Sequence, residues 1–154
     1  MSEDELFKTN LARAMALCSG REYCSADITN KLQGWGLSAD NTARVIDMLI
    51  SEKFIDDNRY ASAFVRDKFN SARWGKTKIS AHLKAKGIPA DIISSALASI
   101  DSDLYRKTLA DLLLAHRKFI KAKNQYDLKG KLWRFGISRG FESDLLYQII
   151  NETW

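Results

Sequence analysis

Apolar residues along this chain recur three and four positions apart, the spacing that places them on one face of an α-helix. The longest such series runs from Leu104 to Ile120, and the polar residues 101–103 (Asp-Ser-Asp) before it suit a helix start. Residues 56–73 form a similar series, with Asp56 or Asp57 as its cap. Its inward-pointing residues are predicted to be Tyr60, Ala61, Phe64, Val65 and Phe69. Because polar and apolar positions do not alternate convincingly anywhere, the pattern predicts an all-α protein.

Two segments of the chain carry the same apolar pattern when Gly36 is placed over Gly87. The pattern consists of a short amphipathic helix, a glycine that ends it in a left-handed turn, an apolar residue and a second helix. A further helix precedes each copy, at residues 4–19 and 56–73, which gives a three-helix unit of about 50 residues. The matched apolar pairs are Ile28 with Ile79, Leu32 with Leu83, Leu37 with Ile88, Val45 with Ala96, Ile46 with Leu97 and Leu49 with Ile100.

The last third of the chain fits this pattern in two registers, with either Gly136 or Gly140 at the turn. Gly140 is favoured because residues 139–141 (Arg-Gly-Phe) then match residues 86–88 (Lys-Gly-Ile), including the basic residue before the turn. The sequence therefore predicts three tandem three-helix, helix-turn-helix-like repeats. Their predicted bounds are residues 1–54, 55–100 and 101–154. Since no flexible linker separates them, we expect an elongated, curved array with a small core in each repeat.

Positive charge is concentrated after the first third of the chain. The net charge is +5, divided as −2 in residues 1–55, +4 in residues 56–100 and +3 in residues 101–154. Residues 59–86 hold only one acid, Asp67, among many bases, which favours a polyanionic partner over an ordinary solvated face. The candidate contact residues there are Arg59, Arg66, Lys68, Arg73, Trp74, Lys76, Lys78, Lys84 and Lys86. A second candidate surface consists of Lys118, Lys121, Lys123, Lys129, Lys131 and Arg134.

Two features of residues 73–78 add to the first surface. Trp74 is the tryptophan best placed to stack on a nucleic-acid base, because Arg73 and Lys76 flank it. Lys76 and Lys78 stand at a predicted helix start, where positive charge opposes the helix dipole, and they indicate an anion nearby. The remaining tryptophans are predicted to pack between helices. These are Trp35, Trp133 and Trp154.

The composition disfavours membrane, secreted and disulfide-bonded classes. The longest aliphatic stretch, Leu112–Ala115, is four residues long, whereas a bilayer span needs about 20. The acidic start MSEDELFK predicts neither a signal nor a transit peptide, so we expect a cytoplasmic protein. Cys18 and Cys24 fit neither a redox motif nor a zinc pattern and are predicted to be reduced, structural thiols.

The titratable residues also predict no catalysis. Asp56 and Asp57 are interpreted as helix caps, since no His or Glu accompanies them at metal-ligand spacing. Neither His82 nor His116 has a nucleophile within local reach. No glycine-rich phosphate loop is present in the sequence. We therefore expect a protein that is not an enzyme and needs no cofactor or metal.

The segment FIDDNRYASAFVRDKFNSARWGKTKISAHLKAKGI, residues 54–88, resembles the central repeat of the RecX family of bacterial RecA regulators. The match covers the apolar-Ile-Asp-Asp start, the basic-aromatic-Ala step, Gly75 and the Lys-Gly-Ile turn. The segment REYCSADITNKLQGWG is similar to part of the first repeat, and KGKLWRFGISRGFESDLLYQII to part of the third. Gly136 is a small departure, where Ala or Leu is expected.

The resemblance implies a non-enzymatic modulator, mainly an inhibitor, of the RecA recombinase. Such a protein lies in the groove of the RecA filament on single-stranded DNA and limits filament growth, strand exchange, ATP hydrolysis and co-protease activity. It implies roles in DNA repair, recombination and the SOS response, and we expect a monomer that contacts the filament and its DNA. Two alternatives stay open: a helix-turn-helix transcription regulator, and a helical-repeat protein adaptor without nucleic acid.

Overall fold

The computed structural model describes residues 2–154, which form nine α-helices and no β-strand. The helices are α1 (Glu3–Gly20), α2 (Ser25–Gly34), α3 (Ala39–Ser51), α4 (Asp57–Asn70), α5 (Lys76–Ala85), α6 (Ala90–Ala98), α7 (Ser102–Arg117), α8 (Gln125–Ser138) and α9 (Ser143–Thr153). The main helix packing lies within three successive triplets: unit one (α1–α3), unit two (α4–α6) and unit three (α7–α9). The predicted all-α, three-repeat architecture is therefore confirmed. The bounds proposed for the repeats stay predictions.

Polar side chains start the first helices of units two and three. Asp56 caps α4, because its Oδ1 accepts from the amides of Asn58 and Arg59 at 2.9 and 3.2 Å. Asp101 caps α7 through the amide of Leu104 at 2.8 Å, but α7 is 16 residues long and ends earlier than the apolar series suggested. Each cap satisfies amides that have no partner inside the helix.

One glycine turn recurs in all three units. Gly36, Gly87 and Gly140 have φ angles of +91°, +77° and +92°, a region that side chains other than glycine rarely adopt. In the third unit the amide of Phe141 returns to the carbonyl of Gly136 at 3.1 Å, the closure typical of a glycine-ended helix. The register with Gly140 at the turn is therefore the correct one.

Gly136 lies inside α8, where it gives room to a neighbouring helix. A Cβ at this position would lie 2.1 Å from Leu146 Cδ2 of α9. Leu146 thus occupies the space that the side chain at residue 136 would fill in another copy. The departure from the repeat pattern is therefore a packing requirement of unit three.

The core is divided in two, not three. Unit one has its own apolar cluster, whereas the buried residues of units two and three form one continuous cluster. Tyr105 connects the latter two units, since its ring lies 5.7 Å from that of Phe69 and 5.3 Å from that of Phe141. The expectation of a separate core in each unit is wrong for units two and three, because aromatic side chains bridge them.

The surface area supports an elongated shape. The chain exposes 9272 Å², whereas a compact protein of its mass would expose about 7,900 Å². Over the described residues, no helix is both long and apolar enough to cross a bilayer.

Candidate nucleic-acid and protein interface

Trp74 lies at the centre of a group of aromatic and cationic side chains on unit two. The Nζ atoms of Lys68 and Lys78 lie 4.9 and 4.4 Å from the centre of its ring. The rings of His82 and Phe64 lie 4.7 and 6.4 Å away, centroid to centroid. We call these five residues the Trp74 cluster. The structure thus brings together three of the predicted contact residues: Lys68 from α4, Trp74 from the following turn and Lys78 from α5.

The Trp74 cluster holds cations at a partly exposed surface. Trp74 and the side chain of Lys78 are half-buried, and His82 is exposed. Lys68 is only loosely paired, with its Nζ 3.9 Å from Asp67 Oδ2. Cation–π contact orients both ammonium groups without neutralising them. The group can therefore receive a phosphate or a carboxylate from a partner.

Arg59 and Lys86 lie instead between units one and two, which we call the first junction. Arg59 Nε donates to Glu22 Oε1 at 2.7 Å, and Lys86 Nζ donates to Asp27 Oδ1 at 2.7 Å. The hydrogen bond to Asp27 raises the pKa of Lys86. Burial acts to raise the pKa of Asp27, but the hydrogen bonds from Lys86 and Cys24 outweigh it and lower that pKa. Both basic side chains therefore join the units, and their contact with a partner stays a prediction.

Asp57 completes the first junction. Its Oδ1 accepts from the backbone amide of Ser25 at 3.2 Å and from the Ser25 hydroxyl at 3.3 Å. Ser25 is the first residue of α2, whose own N-cap residue, Cys24, does not cap the backbone amides of the helix with its side chain. Asp57 is therefore not the cap of its own helix but supports the start of a helix in unit one.

The start of α5 lies against unit three, at what we call the second junction. The amide of Gly75 donates to the Arg139 carbonyl at 2.9 Å, and that of Thr77 donates to the Gly140 carbonyl at 3.0 Å. A Cβ on Gly75 would lie 2.3 Å from the Gly140 oxygen. Glycine is therefore needed at residue 75 for this backbone-to-backbone contact.

Lys76 also belongs to the second junction. Its amide donates to the Tyr105 hydroxyl at 2.8 Å, and its Nζ lies 4.8 Å from the centre of the Tyr105 ring. The Tyr105 hydroxyl in turn donates to Glu142, and burial together with this bond raises the Tyr105 pKa. The backbone amides at the start of α5 already donate to unit three, and the anion inferred beside Lys76 and Lys78 stays a prediction.

Arg66, Arg73 and Lys84 stay exposed on unit two. Within the described part of the chain, none of them lies within 4 Å of a carboxylate. Arg73 adopts a left-handed φ of +55° in the turn after α4. These three residues add positive charge to unit two without forming a second defined group.

The second predicted surface surrounds the start of α8. Lys131 Nζ donates to the Lys121 carbonyl at 2.7 Å and pairs with Asp127 at 3.0 Å. Lys129 Nζ donates to Asn151 at 3.2 Å. The remaining candidates, Lys118, Lys123 and Arg134, are exposed. These contacts hold Lys131 against Lys121 in the loop before α8 and Lys129 against α9, so the predicted surface is divided between two sides of α8.

Two of the three tryptophans predicted to pack between helices, Trp35 and Trp154, pack against a core, and Trp133 does not. Trp35, Trp74 and Trp154 all pack partly buried against a core, whereas Trp133 is 38% exposed. Leu132 faces the core, and the next residue is rotated by about 100° around the helix. The prediction of inter-helix packing is therefore wrong for Trp133. The spacing of the core-facing residues of α8, which include Leu132, was the sequence signal that could have identified Trp133 as exposed.

No cluster of three or more metal-ligating side chains occurs within residues 2–154. His116 stacks on Phe135, with ring centres 3.7 Å apart, so its surroundings are aromatic. The arrangement that stands out is therefore a pair of basic, aromatic surfaces on units two and three. Fold and surface together define a tandem three-helix repeat protein with a basic face.

Comparisons with known proteins identify the family. The family model described as "RecX, second three-helix domain" matches residues 56–97. A "Regulatory protein RecX" of Prosthecochloris aestuarii is 30% identical over 152 residues, which cover 99% of this chain and 97% of the relative. One from Clostridium botulinum is 32% identical over 130 residues, or 82% of this chain. The chain belongs to the RecX family of regulatory proteins.

Solved structures agree on the fold. The crystal structure of RecX from Lactobacillus salivarius superposes with a TM-score of 0.84 at 24% identity, covering 97% of each chain. Another RecX crystal structure gives a TM-score of 0.88 at 22% identity, covering 97% of this chain and 73% of the other.

The match to the Clostridium botulinum relative spans 59% of that protein's length.

Proposed function

We propose that this protein binds the RecA filament on single-stranded DNA and restrains it. It acts without catalysis of its own, as a cytoplasmic monomer, and limits filament growth, strand exchange, ATP hydrolysis and co-protease activity. Membership of a family of regulatory proteins supports this proposal. In the cell the activity belongs to DNA repair, recombination and control of the SOS response.

One observation carries the proposal: both basic surfaces lie on units that share a single core. Units two and three are joined through one buried cluster, so the Trp74 cluster and the basic residues of α8 keep a fixed separation. A filament presents identical protomers at a regular spacing. Two surfaces held at a fixed distance bind such a lattice more tightly than they bind a single free protomer. Once the first surface is bound, the second contact is intramolecular.

Neutralising the Trp74 cluster tests the proposal. The double variant Lys68→Gln/Lys78→Gln removes two cations that lie over the Trp74 ring. A control double variant, Lys8→Gln/Lys107→Gln, has the same net charge but changes exposed residues on α1 and α7. The measurement is ATP hydrolysis by RecA on single-stranded DNA.

We expect the unmodified protein and the control to suppress hydrolysis at stoichiometric amounts, and the cluster variant to need about tenfold more protein, the loss expected for about 1.4 kcal/mol of binding free energy. Unchanged hydrolysis and strand exchange with the unmodified protein would contradict the proposed function itself. Equal loss in both double variants would refute the role of the Trp74 cluster, because net charge alone would then account for binding.

A further inference from the structure

A cleft of about 720 Å³ opens between α8 and α9 on the surface of unit three. On α8, Tyr126, Gly130 and Trp133 stand at i, i+4 and i+7, so they share one face of the helix. On α9, Tyr147 and Ile150 line the opposite wall. We call this feature the α8–α9 cleft. Its walls are aromatic and its mouth faces solvent.

Among residues 2–154, the exposed aromatic side chains all lie on unit three. They are Phe119, Tyr126, Trp133 and Tyr147, and the last three line the α8–α9 cleft. Tyr126 is 89% exposed and Tyr147 is 69% exposed, whereas every other aromatic residue is buried or partly buried. Apolar surface grouped in this way marks a binding site.

Gly130 keeps the floor of the cleft open. It lies in the interior of α8, where glycine costs about 1 kcal/mol relative to alanine. A Cβ at this position would meet only Arg134 Nη1, at 3.5 Å, so no packing within the chain requires glycine. Its small size leaves the space in which a flat ring can lie between the aromatic walls.

Cations border the same cleft. Lys129 Nζ is bonded only to a neutral amide, that of Asn151, so its charge is not balanced. Arg134 lies within 4 Å of no carboxylate among the described residues. The neighbouring carboxylate of Asp127 is already paired with Lys131 at 3.0 Å. A second carboxylate, Asp144, also lines the cleft. The rim therefore carries two cations that are not paired with a carboxylate, and one carboxylate that is not paired with a cation, among the described residues.

We propose that the α8–α9 cleft receives an unpaired base of single-stranded DNA. The base stacks on Trp133 and Tyr147, while Arg134 and Lys129 contact the adjoining phosphates. Asp144, at the same edge, can accept from the amino group of a base. Two cations without carboxylate partners beside aromatic walls complement a phosphodiester carrying a flat ring better than they complement an apolar peptide. This inference rests on the proposed contact with single-stranded DNA and specifies which residues make it.

The test uses a fluorescent 20-residue oligothymidylate and the full chain, without RecA. We expect Trp133→Ala to weaken binding about tenfold, as measured by fluorescence anisotropy. Phe119→Ala is the matched control, because Phe119 is 83% exposed on the same unit but lies outside the cleft. A second variant, Gly130→Leu, fills the cleft at a partly buried helix position where an added Cβ meets only Arg134 Nη1, and it should weaken binding to a similar extent.

An abasic oligonucleotide of equal length separates stacking from charge. The unmodified protein should bind it about tenfold more weakly than oligothymidylate, and Trp133→Ala should bind the two alike. Equal affinity of the unmodified protein for both strands, or binding unaffected by both cleft variants, overturns the inference and leaves a peptide as the occupant. Retained inhibition of RecA by such variants would then show that the proposed function stands while the cleft assignment fails.

Discussion

The two junctions of this protein each supply a hydrogen-bond partner to the uncapped start of a helix, but the contacts around that bond differ in chemistry. At each one, the middle helix of a unit begins without a side-chain cap of its own, and the next unit supplies the partner for its first amide: Asp57 for Ser25, and Tyr105 for Lys76. The first junction is otherwise built from ion pairs. The second is built from backbone contacts and a shared core. We therefore expect the first to respond to salt and pH, and the second to packing.

The largest effect should come from Gly75→Ala at the second junction. The added Cβ would lie 2.3 Å from the Gly140 oxygen, which is backbone and cannot turn aside. We expect a loss of about 3 kcal/mol in the free energy of unfolding, at the upper end of overpacking costs. Urea denaturation measures it. Gly20→Ala is the control, since nothing lies within 4 Å of its Cβ position, and a loss below about 1 kcal/mol in Gly75→Ala contradicts the rigid junction.

Tyr105→Phe should have the next largest effect. It removes the hydroxyl that accepts from the Lys76 amide at 2.8 Å and donates to Glu142. Leaving these groups without partners costs about 1–3 kcal/mol, again read from urea denaturation. Hydrogen exchange at Lys76 should accelerate as well. Tyr126→Phe removes a hydroxyl from a side chain that is 89% exposed, so it should leave stability unchanged. A result in which the two variants match would mean that the Tyr105 hydroxyl contributes nothing.

Asp27→Asn at the first junction should have the smallest effect, about 0.2–1 kcal/mol at neutral pH. The pKa of Asp27 is lowered in the folded protein. The ionised carboxylate therefore contributes to the free energy of unfolding at pH values above its unfolded pKa of about 3.9. It is lost as pH falls through the folded pKa. The pKa of Lys86 is raised in the folded protein. Its contribution to the free energy of unfolding is therefore lost only as pH rises through this folded pKa, which lies above the unfolded value of about 10.4.

The check is the free energy of unfolding of Asp27→Asn and of the unmodified protein between pH 2 and pH 7. The difference should vanish at the acid end of this range and shrink in 1 M salt, where charges are screened. Asp47→Asn is the control, because Asp47 is exposed on α3 and pairs with no cation among the described residues. A difference that persists unchanged at pH 2 would show that the pair does not act through its charge.

The repeating apolar pattern was sufficient to predict the units and their turns. Gly36, Gly87 and Gly140 could be matched because each is followed by an apolar residue that seals the turn. Gly75 and Gly136 could not be explained in this way. A glycine required by a close neighbour carries no local signal, since the atom it would strike belongs to a distant residue.

The candidate site was predictable only in part for the same reason. A count of basic residues does not separate Lys78, which faces a tryptophan, from Lys86, which pairs with an acid 59 residues away. The aromatic wall of the α8–α9 cleft was within reach of the sequence. Trp133 follows the core residue Leu132, and this places its ring off the inward stripe.

The shared helix starts also set an order of events during synthesis. The amide of Ser25 can form its hydrogen bond only after a carboxylate 32 residues further along has been synthesised. The amide of Lys76 likewise requires a hydroxyl 29 residues further along. At about 5–20 residues per second, each middle helix is synthesised roughly 1.5–6 seconds before its partner. The start of α8 needs no such delay, because its own N-cap residue, Asn124, accepts from the amide of Asp127 in the first turn of the helix. On the ribosome, units one and two are each completed by their successor, whereas unit three caps its middle helix by itself.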